Sequence, residues 1–325
     1  MKKTIKWGII GCGDVTEIKS GPAYKMTEGF ELVAVMRRNL DLAKDYAERH
    51  GVARFYNDAE QLINDHEVDA VYIATPPDTH HYYAMKVAEA GKICCIEKPM
   101  APSYPECLDI QTTFEKQNLP LFVAYYRRSL PRFNKVKSLL EEHVIGDVRH
   151  VSWYLSRTPS DLDTSEIYNW RTDAKIAPAG YFDDLASHGL DLFAYLLGDI
   201  KKAKGHSANQ QNLYSAKDII SGSWIHESGV LGTGMWSFGT YEREDKVRII
   251  GREGELSFSI FGEDPISIIT KDELEQVVIE NPKHIQQYHV ENMTKHLNSD
   301  FQHPSTGASA THTAWVMDKI LSKID

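Results

Sequence analysis

The sequence predicts two domains: an N-terminal α/β domain with a doubly wound parallel sheet, and a C-terminal α+β domain with a large, mostly antiparallel open sheet and helices on one face. Strand and helix patterns alternate six times within the first ~125 residues, which is typical of a doubly wound sheet. Later runs alternate apolar and polar residues, as half-exposed antiparallel strands do. A length of 325 residues suits two domains, each large enough to bury a core. We place the first domain at residues 1–124 and the second at residues 125–325.

Composition and charge exclude several classes of protein. A hydrophobic content of 42% with 25% charged residues is typical of a globular chain. The net charge of -10 argues against nucleic acid or an anionic membrane as the main partner. The short apolar run after Lys3 is interrupted by Asp14 and Glu17, unlike a signal peptide. No run approaches the roughly eighteen apolar residues of a membrane span, so we expect a soluble protein with no membrane partner.

The cysteines suggest a reducing compartment. Their spacing matches neither a disulfide framework nor a metal site. The four residues are Cys12, Cys94, Cys95 and Cys107. We therefore expect reduced thiols and a cytoplasmic location.

A glycine-rich turn follows the first predicted strand. That strand, Thr4 to Ile10, runs directly into Gly11-Cys12-Gly13-Asp14-Val15-Thr16, and a second strand, Glu31 to Met36, comes after it. Glycines at the first and third positions permit a tight turn and close approach of the backbone to a pyrophosphate, which lies at the N-terminus of the next helix. Thr16 replaces the last glycine of the usual pattern, a departure that is able to loosen helix-to-strand packing. The context favours a dinucleotide site over a turn that binds nothing.

Two arginines stand at the end of the second strand. An NAD site usually offers a carboxylate there for the ribose, but this chain has Arg37 and Arg38. A guanidinium suits both a phosphate and the face of an adenine ring. The nearest acid, Asp41, belongs to the predicted helix from Leu40 to His50. We therefore predict NADP rather than NAD as the cofactor, against the alternative of a solvated basic turn.

Two further predicted strands end in polar residues. The strand from Asp69 to Thr75 ends in Thr75-Pro76-Pro77, and the strand from Ile93 to Glu97 ends in Glu97-Lys98-Pro99. Ligands of a parallel sheet lie outside the carboxyl ends of its strands, so Lys98 lies where chemistry would take place. The alternative is that Glu97 and Lys98 form an ordinary surface charge pair.

The start of the following helix carries adjacent histidines. Asp78 or Thr79 is predicted to cap this helix, which runs to Ala90. His80 and His81 point in different directions on a helix, and no acid or cysteine lies at ligand spacing, so we predict no metal site. His80 is assigned to helix-start packing or cofactor contact.

The remaining strands of the second domain are read from alternation. Along Asp147 to Arg157, one face carries Val151, Trp153 and Leu155 and the other Ser152, Tyr154 and Ser156. Further strands are predicted at residues 203–209, 218–226, 229–240, 245–251, 255–260, 266–270 and 276–280. Helices are predicted at Gln287 to Ser299 and Ala308 to Ser322.

A polar helix start precedes most of these strands. Asp184 and His188 are four residues apart, so they share one face of a helix, and Asp191 lies nearly on the same side. A carboxylate beside an imidazole raises its pKa and fixes its orientation, which suits a general base or acid near neutral pH. The alternative is a helix cap and a packed histidine.

Together these motifs resemble the glucose-fructose oxidoreductase, inositol dehydrogenase and rhizopine catabolism (Gfo/Idh/MocA) family of nicotinamide-dependent oxidoreductases. The resemblance covers nearly the whole chain and rests on Gly11-Cys12-Gly13, Thr75-Pro76-Pro77 with His80, Glu97-Lys98-Pro99, Tyr126-Arg127-Arg128, Gly180 to Asp191 and Ile250 to Gly254. It implies a Rossmann first domain and catalytic residues Lys98, Asp184 and His188. The implied cofactor contacts are Gly11, Gly13, Asp14, Val15, Arg37, Arg38, Thr75, Pro76, Pro77, His80, Glu97, Lys98, Arg127, Trp170 and Arg171.

The resemblance also implies a reaction. A secondary alcohol of a sugar, cyclitol or diol gives hydride to nicotinamide while His188 takes the hydroxyl proton, Asp184 orients His188, and Lys98 stabilises the developing alkoxide. Two alternatives are hydrolysis of a glycoside by transient oxidation with retained nicotinamide, and a nucleotide-sensing protein without chemistry. The usual glycine pair of the family appears here only as Gly180-Tyr181. The Lys98–Pro99 peptide is predicted to be cis.

Substrate choice and assembly are assigned to the second domain. The open sheet face and the loop from Thr158 to Ile167 would contact substrate, and Asp161, Asp163 and Glu166 would bind hydroxyls or be solvated. We expect a homo-oligomer, a dimer or tetramer, that covers an exposed sheet face near Trp224, Trp236 and Phe238.

Overall fold

The structure is a computed structural model that describes residues 4–165 and 167–324. The chain divides into two units, one formed by Met1–Leu130 with Pro282–Thr311 and the other by Pro131–Asn281 with His312–Asp325. This division differs from the predicted boundary, which assigned all residues after 124 to the second domain. The segment 282–311 belongs to the first unit instead.

Strand and helix alternate through the first third of the chain, and strands dominate the middle. The strands are β1 Ile5–Ile10, β2 Phe30–Met36, β3 Arg54–Tyr56, β4 Ala70–Ile73, β5 Ile93–Ile96, β6 Leu121–Val123, β7 Val148–Arg157, β8 Ile200–Ala208, β9 Ile219–His226, β10 Leu231–Phe238, β11 Glu244–Gly251, β12 Gly254–Phe258, β13 Ile266–Thr270 and β14 Leu274–Val277. The helices are α1 Asp14–Ile18, α2 Gly21–Met26, α3 Leu40–His50, α4 Ala59–Ile63, α5 His80–Glu89, α6 Tyr104–Lys116, α7 Pro131–Glu141, α8 Tyr181–Leu197, α9 Gln287–Asn298 and α10 Gly307–Ile320. Short 3-10 helices lie at Pro77–Thr79, Tyr126–Ser129 and Trp170–Thr172.

The first unit contains the predicted parallel sheet. Among the residues that the structure describes, its six strands lie in the order β3-β2-β1-β4-β5-β6, and every neighbouring pair is parallel. The strands are almost continuously apolar because both faces are covered by helices. Strand order reverses between β1 and β4, and an α/β sheet of this kind binds its ligands at such a switch point. The prediction of a doubly wound sheet is confirmed.

Helix α9 belongs to this unit because its apolar residues enter the same core. Val290 and Met293 are fully buried in a cluster with Trp7, Tyr24 and Tyr72. Sequence periodicity identifies the helix but not its partner, since an amphipathic helix fits any apolar surface of the right size.

The start of α5 agrees only in part with the predicted cap. Thr79 occupies the N-cap position, but its hydroxyl donates to the carbonyl of Pro76 at 2.8 Å rather than accepting from the helix. Thr79 is thus the N-cap residue of α5, in agreement with one of the two predicted caps, but its side chain makes no capping hydrogen bond. A 3-10 turn at Pro77–Thr79 leads directly into the helix.

The second unit contains the predicted open sheet. Its eight described strands lie in the order β14-β13-β12-β11-β7-β10-β9-β8. Every neighbouring pair is antiparallel except β10 and β7, which are parallel. The large, mostly antiparallel sheet is confirmed, whereas α7 was not predicted.

Helix α8 covers one face of this sheet through aromatic contacts. Phe182 meets Trp236 at 4.9 Å between ring centroids, and Phe193 stacks on Trp224 at 5.8 Å. Trp224, Trp236 and Phe238 are 2%, 0% and 3% exposed, so they belong to the core. The exposed face of these strands is therefore the one opposite these three side chains, and alternation separates two faces of a strand without showing which one a helix covers.

Two further predictions concern the cysteines and membrane spans. Cys12, Cys94, Cys95 and Cys107 are free thiols, all buried. In the described ranges, no helix is long and apolar enough to cross a membrane.

Candidate active site

The glycine turn after β1 requires glycine at its first position. Gly11 has a φ of +91°, and a Cβ built there would lie 2.8 Å from Thr75 Cγ2 and 2.9 Å from the Ala74 carbonyl carbon. The backbone N–H groups of Gly11 and Cys12 donate to the Met36 carbonyl at 2.9 and 3.1 Å. The turn is therefore pinned against the ends of β2 and β4, and the missing side chain of Gly11 allows it to pack closely against the chain after β4.

Thr16, in the place of the usual last glycine, is accommodated. The residue is fully buried, and its hydroxyl donates to the Gly13 carbonyl at 2.8 Å. The hydroxyl of Tyr46 on α3 donates to the Thr16 carbonyl at 2.9 Å. These bonds attach α1 to the neighbouring helix, so the expected loosening does not occur.

A cleft of about 540 Å³ opens beside this turn. It brings together the turn, the end of β2 and the loop after β4. Its lining is Gly11, Gly13, Met36, Arg37, Arg38, Asn39, Leu42, Ala74, Thr75, Pro76, Asp78, Thr79 and Tyr83. Six of the predicted cofactor contacts thus line one cleft: Gly11, Gly13, Arg37, Arg38, Thr75 and Pro76. Sequence reasoning missed Asp78 and Tyr83, whose place depends on how α5 follows its 3-10 turn.

Lys98 stands one residue beyond the end of the adjacent strand. The Glu97 N–H donates to the Ile73 carbonyl of β4 at 2.9 Å, which continues the sheet to this point. The Lys98–Pro99 peptide is cis, as predicted. The side chain of Glu97, which the resemblance placed among cofactor contacts, is only 8% exposed and is hydrogen-bonded to protein groups.

His80 is fully buried between two carbonyl groups. Its Nδ1 lies 2.9 Å from the Pro99 oxygen and its Nε2 lies 2.8 Å from the Thr75 oxygen. Burial lowers the pKa of His80, while the two carbonyls oppose that effect. These contacts correspond to the predicted role of packing at the helix start. They connect the loop after β4 with the loop after β5.

Arg127, another predicted cofactor contact, lies in the 3-10 helix of Tyr126–Ser129 in the first unit. It is 5% exposed, and its guanidinium carbon lies 4.9 Å from the ring centroid of Tyr126.

The second unit carries Asp184 and His188 on one face of α8. They are 9% and 4% exposed. The Arg171 Nε donates to Asp184 Oδ2 at 2.6 Å, and the Arg171 guanidinium lies 4.3 Å from the Trp170 ring centroid. The His188 ring meets Phe261 edge to face at 5.7 Å. The Arg171–Asp184 pair was not predicted, since no sequence pattern links a 3-10 turn to a helix thirteen positions later.

The departure at Gly180-Tyr181 also has a structural explanation. Gly180 has a φ of +64°, and a Cβ there would lie 2.5 Å from the Lys217 carbonyl oxygen, so glycine is required. Tyr181 is 4% exposed and donates its hydroxyl hydrogen bond to Asp163. Asp163 also accepts from the backbone and hydroxyl of Ser160. Asp163 is 7% exposed and holds its own loop, while Glu166 lies outside the described residues.

Comparison with known proteins agrees with this architecture. A family model described as an oxidoreductase family with an NAD-binding Rossmann fold matches residues 5–125, and the GFO/IDH/MocA C-terminal domain matches residues 133–257. Oxidoreductase P35 of Formosa agariphila is 38% identical over 98% of each chain. Levoglucosan dehydrogenase of Pseudarthrobacter phenanthrenivorans is 28% identical over 63% of this chain and 49% of that protein. A levoglucosan dehydrogenase structure with NADH and levoglucosan superposes with a TM-score of 0.86 at 20% identity, covering 98% of this chain and 96% of that one. The chain belongs to the GFO/IDH/MocA family of oxidoreductases.

Proposed function

We propose that this protein is a dehydrogenase that transfers hydride between NADP and a secondary alcohol of a sugar, cyclitol or diol. The observation that carries the proposal is the cleft at the switch point of the parallel sheet, with a glycine cradle on one side and two arginines on another. The residues fit a dinucleotide, because the nearest described atom to a Cβ built at Gly13 is the Gly11 carbonyl oxygen at 3.9 Å, so the missing side chain leaves space where a pyrophosphate approaches the backbone. When bound, the nicotinamide supplies the hydride acceptor.

The substrate class follows from the chemistry of the polar residues and from relatives. Two relatives are named levoglucosan dehydrogenase and D-apiose dehydrogenase, at 28% and 25% identity. Both names denote oxidation of a carbohydrate. An ammonium and an imidazole are suited to one hydroxyl of such a substrate, since the first stabilises an oxyanion and the second accepts a proton.

In this mechanism Lys98 holds the substrate oxygen and stabilises alkoxide character as it develops. His188 removes the hydroxyl proton. Asp184 orients His188, and the Arg171 guanidinium, whose Nε donates to Asp184 Oδ2 at 2.6 Å, holds that carboxyl group in place. Carbonyl reduction uses the same groups in reverse.

A substrate screen tests the proposal. Purified protein is mixed with polyols, aldoses and diols in the presence of NAD or NADP, and absorbance of the reduced cofactor is followed. Net reduction with at least one sugar or polyol is expected. Turnover of a glycoside without net reduction would favour hydrolysis with retained nicotinamide, and no turnover with any substrate class would contradict the proposal.

The preference for NADP rests on Arg37 and Arg38. A carboxylate at the end of β2 would repel a 2′-phosphate, and two guanidiniums line the cleft there instead. A charge-assisted hydrogen bond to the phosphate contributes ~1.5–3 kcal/mol, a factor of roughly ten to a hundred in affinity. Asp78 lines the same cleft, but it follows β4 rather than β2.

Arginine variants test this preference. Arg37→Ala and Arg38→Ala are compared with Arg54→Ala, which removes a guanidinium from β3 outside the cleft. Arg37→Ala, Arg38→Ala or both are expected to lower the affinity for NADP by roughly tenfold while the affinity for NAD changes little. Titration calorimetry measures both affinities. A higher kcat/KM with NAD in the unmodified protein would show the inference to be wrong.

We also infer a homo-oligomer, a dimer or tetramer, formed through the open face of the second-unit sheet. Tyr154 on β7 and Met235 on β10 are 38% and 36% exposed on that face, and a second copy would cover them. Light scattering of the purified protein is expected to give a multiple of the monomer mass. A monomer at all concentrations would contradict the inference.

We retain the cytoplasm as the proposed location, since the thiols are all free.

A further inference from the structure

The residue before Lys98 lies in a buried hydrogen-bond network. Glu97 Oε1 accepts from the Tyr72 hydroxyl at 2.5 Å and from Gln286 Nε2 at 2.6 Å. Glu97 Oε2 accepts from the backbone N–H of Lys98 at 3.2 Å. Hydrogen bonds to a carboxylate are short and about twice as strong as neutral ones. The network therefore fixes the carboxyl end of β5, from which the lysine projects.

Gln286 reaches this network from a distant part of the sequence. It occupies the N-cap position of α9, and its backbone N–H donates to the Lys19 carbonyl at 3.1 Å, just after α1. The side chain is 1% exposed. Among the residues that the structure describes, its Oε1 atom has no hydrogen-bond partner. An unsatisfied buried acceptor is unfavourable, so the amide is held toward Glu97 at the expense of stability.

The other neighbour of Lys98 is fixed as well. The Pro99 carbonyl lies 2.9 Å from His80 Nδ1, and the same imidazole is held by the Thr75 carbonyl at 2.8 Å. Lys98 thus lies between Glu97, which is hydrogen-bonded to Tyr72 of β4 and to Gln286 at the start of α9, and Pro99, whose carbonyl contacts His80 of α5. Fixed backbone on both sides restricts where the ammonium group can lie.

We propose that Gln286 is a positioning residue for Lys98, acting through the Glu97 carboxylate. The proposal rests on the role of Lys98 in the proposed function. Gln286 contacts neither substrate nor cofactor in this account, and its effect is to keep the lysine backbone in a single arrangement. Displacement of a catalytic group by about 1 Å lowers a rate roughly a hundredfold, so a loss of this contact has a measurable kinetic effect.

A purely structural role predicts a different pattern. If Gln286 served only folding, a methionine of similar length would remove the unsatisfied acceptor and restore much of the packing. The same change removes one donor to the buried Glu97 carboxylate, so a purely structural role predicts lower thermal stability with an unchanged kcat of the folded protein. Positioning predicts that turnover falls even where stability is retained.

The first test compares Gln286→Met with Gln287→Met, both in the full-length protein and on a substrate found in the screen. Gln287 is the next residue, and its amide donates to Glu291 on the same helix at 2.9 Å. Gln286→Met is expected to lower kcat by roughly tenfold to a hundredfold, with KM and the Kd of the reduced cofactor changed by no more than about twofold. Gln287→Met is expected to change none of these quantities.

The second test uses Gln286→Glu and a pH profile. Two carboxyl groups at this distance share one proton, and they repel each other once it is lost. The kcat of this variant is therefore expected to fall with rising pH relative to that of the unmodified protein. Among the described residues, the titratable groups that face Glu97 include Tyr24, Tyr72, Cys95 and His80. Burial raises the pKa of both tyrosines and of Cys95 and lowers that of His80. The profile is therefore compared at pH values above the ordinary pKa of histidine and below that of cysteine, where these four groups do not titrate.

The outcomes separate this proposal from the proposed function. Unchanged kcat in Gln286→Met with reduced turnover in Lys98→Met overturns the positioning role alone. Unchanged kcat in Lys98→Met overturns both. If Gln286→Met does not fold, the pH profile of Gln286→Glu decides, and a profile parallel to that of the unmodified protein overturns the positioning role.

Discussion

Asp183 at the start of α8 gives a pH-dependent stability prediction. Burial raises the pKa of this carboxyl from 3.8 to about 6, although Lys323 and the Ala179 N–H, which donates to its Oδ2 at 2.8 Å, both act in the opposite direction. The folded protein therefore binds the proton more tightly than the unfolded chain does. The free energy of unfolding falls as pH rises from about 4 to about 6, and it stays lower above that range.

The magnitude follows from the same linkage. A tenfold change in acidity corresponds to about 1.4 kcal/mol, so the raised pKa corresponds to about 3 kcal/mol of stability lost at pH 7.5. Asp183→Asn removes the ionisation and keeps an oxygen that accepts from Ala179. We expect this variant to be more stable by 2 to 3 kcal/mol, on the order of that loss, at pH 7.5, and by less than about 1 kcal/mol at pH 4.

Urea unfolding followed by tryptophan fluorescence measures this effect in the relevant unit. Of the six tryptophans, only Trp7 lies outside the second unit. Asp272→Asn is the matched control, because it removes one negative charge from an exposed position in the same unit. If Asp183→Asn and the unmodified protein show parallel stability between pH 4 and pH 7.5, the reasoning is refuted.

Two further predictions concern the first unit and the catalytic residues. Gly11→Ala is expected to lose dinucleotide affinity and at least about 1 kcal/mol of stability, because its Cβ would lie 2.9 Å from the Ala74 backbone. Gly91→Ala is the control, since Gly91 also has a positive φ but a Cβ there would have no described atom within 4 Å. Equal calorimetric and thermal-unfolding results for the two variants would contradict this reasoning. Lys98→Met and His188→Ala are each expected to remove most turnover while the Kd of the reduced cofactor and the circular dichroism spectrum stay nearly unchanged. A kcat near that of the unmodified protein in either variant would disprove the mechanism.

Sequence reasoning succeeded where the structural cause is local. Short, fully apolar runs such as Ala70–Ile73 that alternate with helix patterns predict buried parallel strands, because a sheet covered on both faces hides both sides of each strand. The alternation along Val148–Arg157 predicts one buried face, with Val151 and Trp153 at 0% and 2% exposure. Gly11 is another local case, since a positive φ beside a neighbouring strand excludes any side chain.

The sequence by itself determined the two sheets and the glycine turn and supplied the residues proposed for catalysis, because period and residue type are properties of short segments. Only the tertiary structure decided that residues 282–311 join the first unit and that Gln286 meets Glu97. It also decided that Arg171 pairs with Asp184. These contacts join segments that are distant in sequence and become neighbours only in the folded chain. An amphipathic helix or an arginine is able to pair with many different partners, so its sequence alone does not identify the one it contacts.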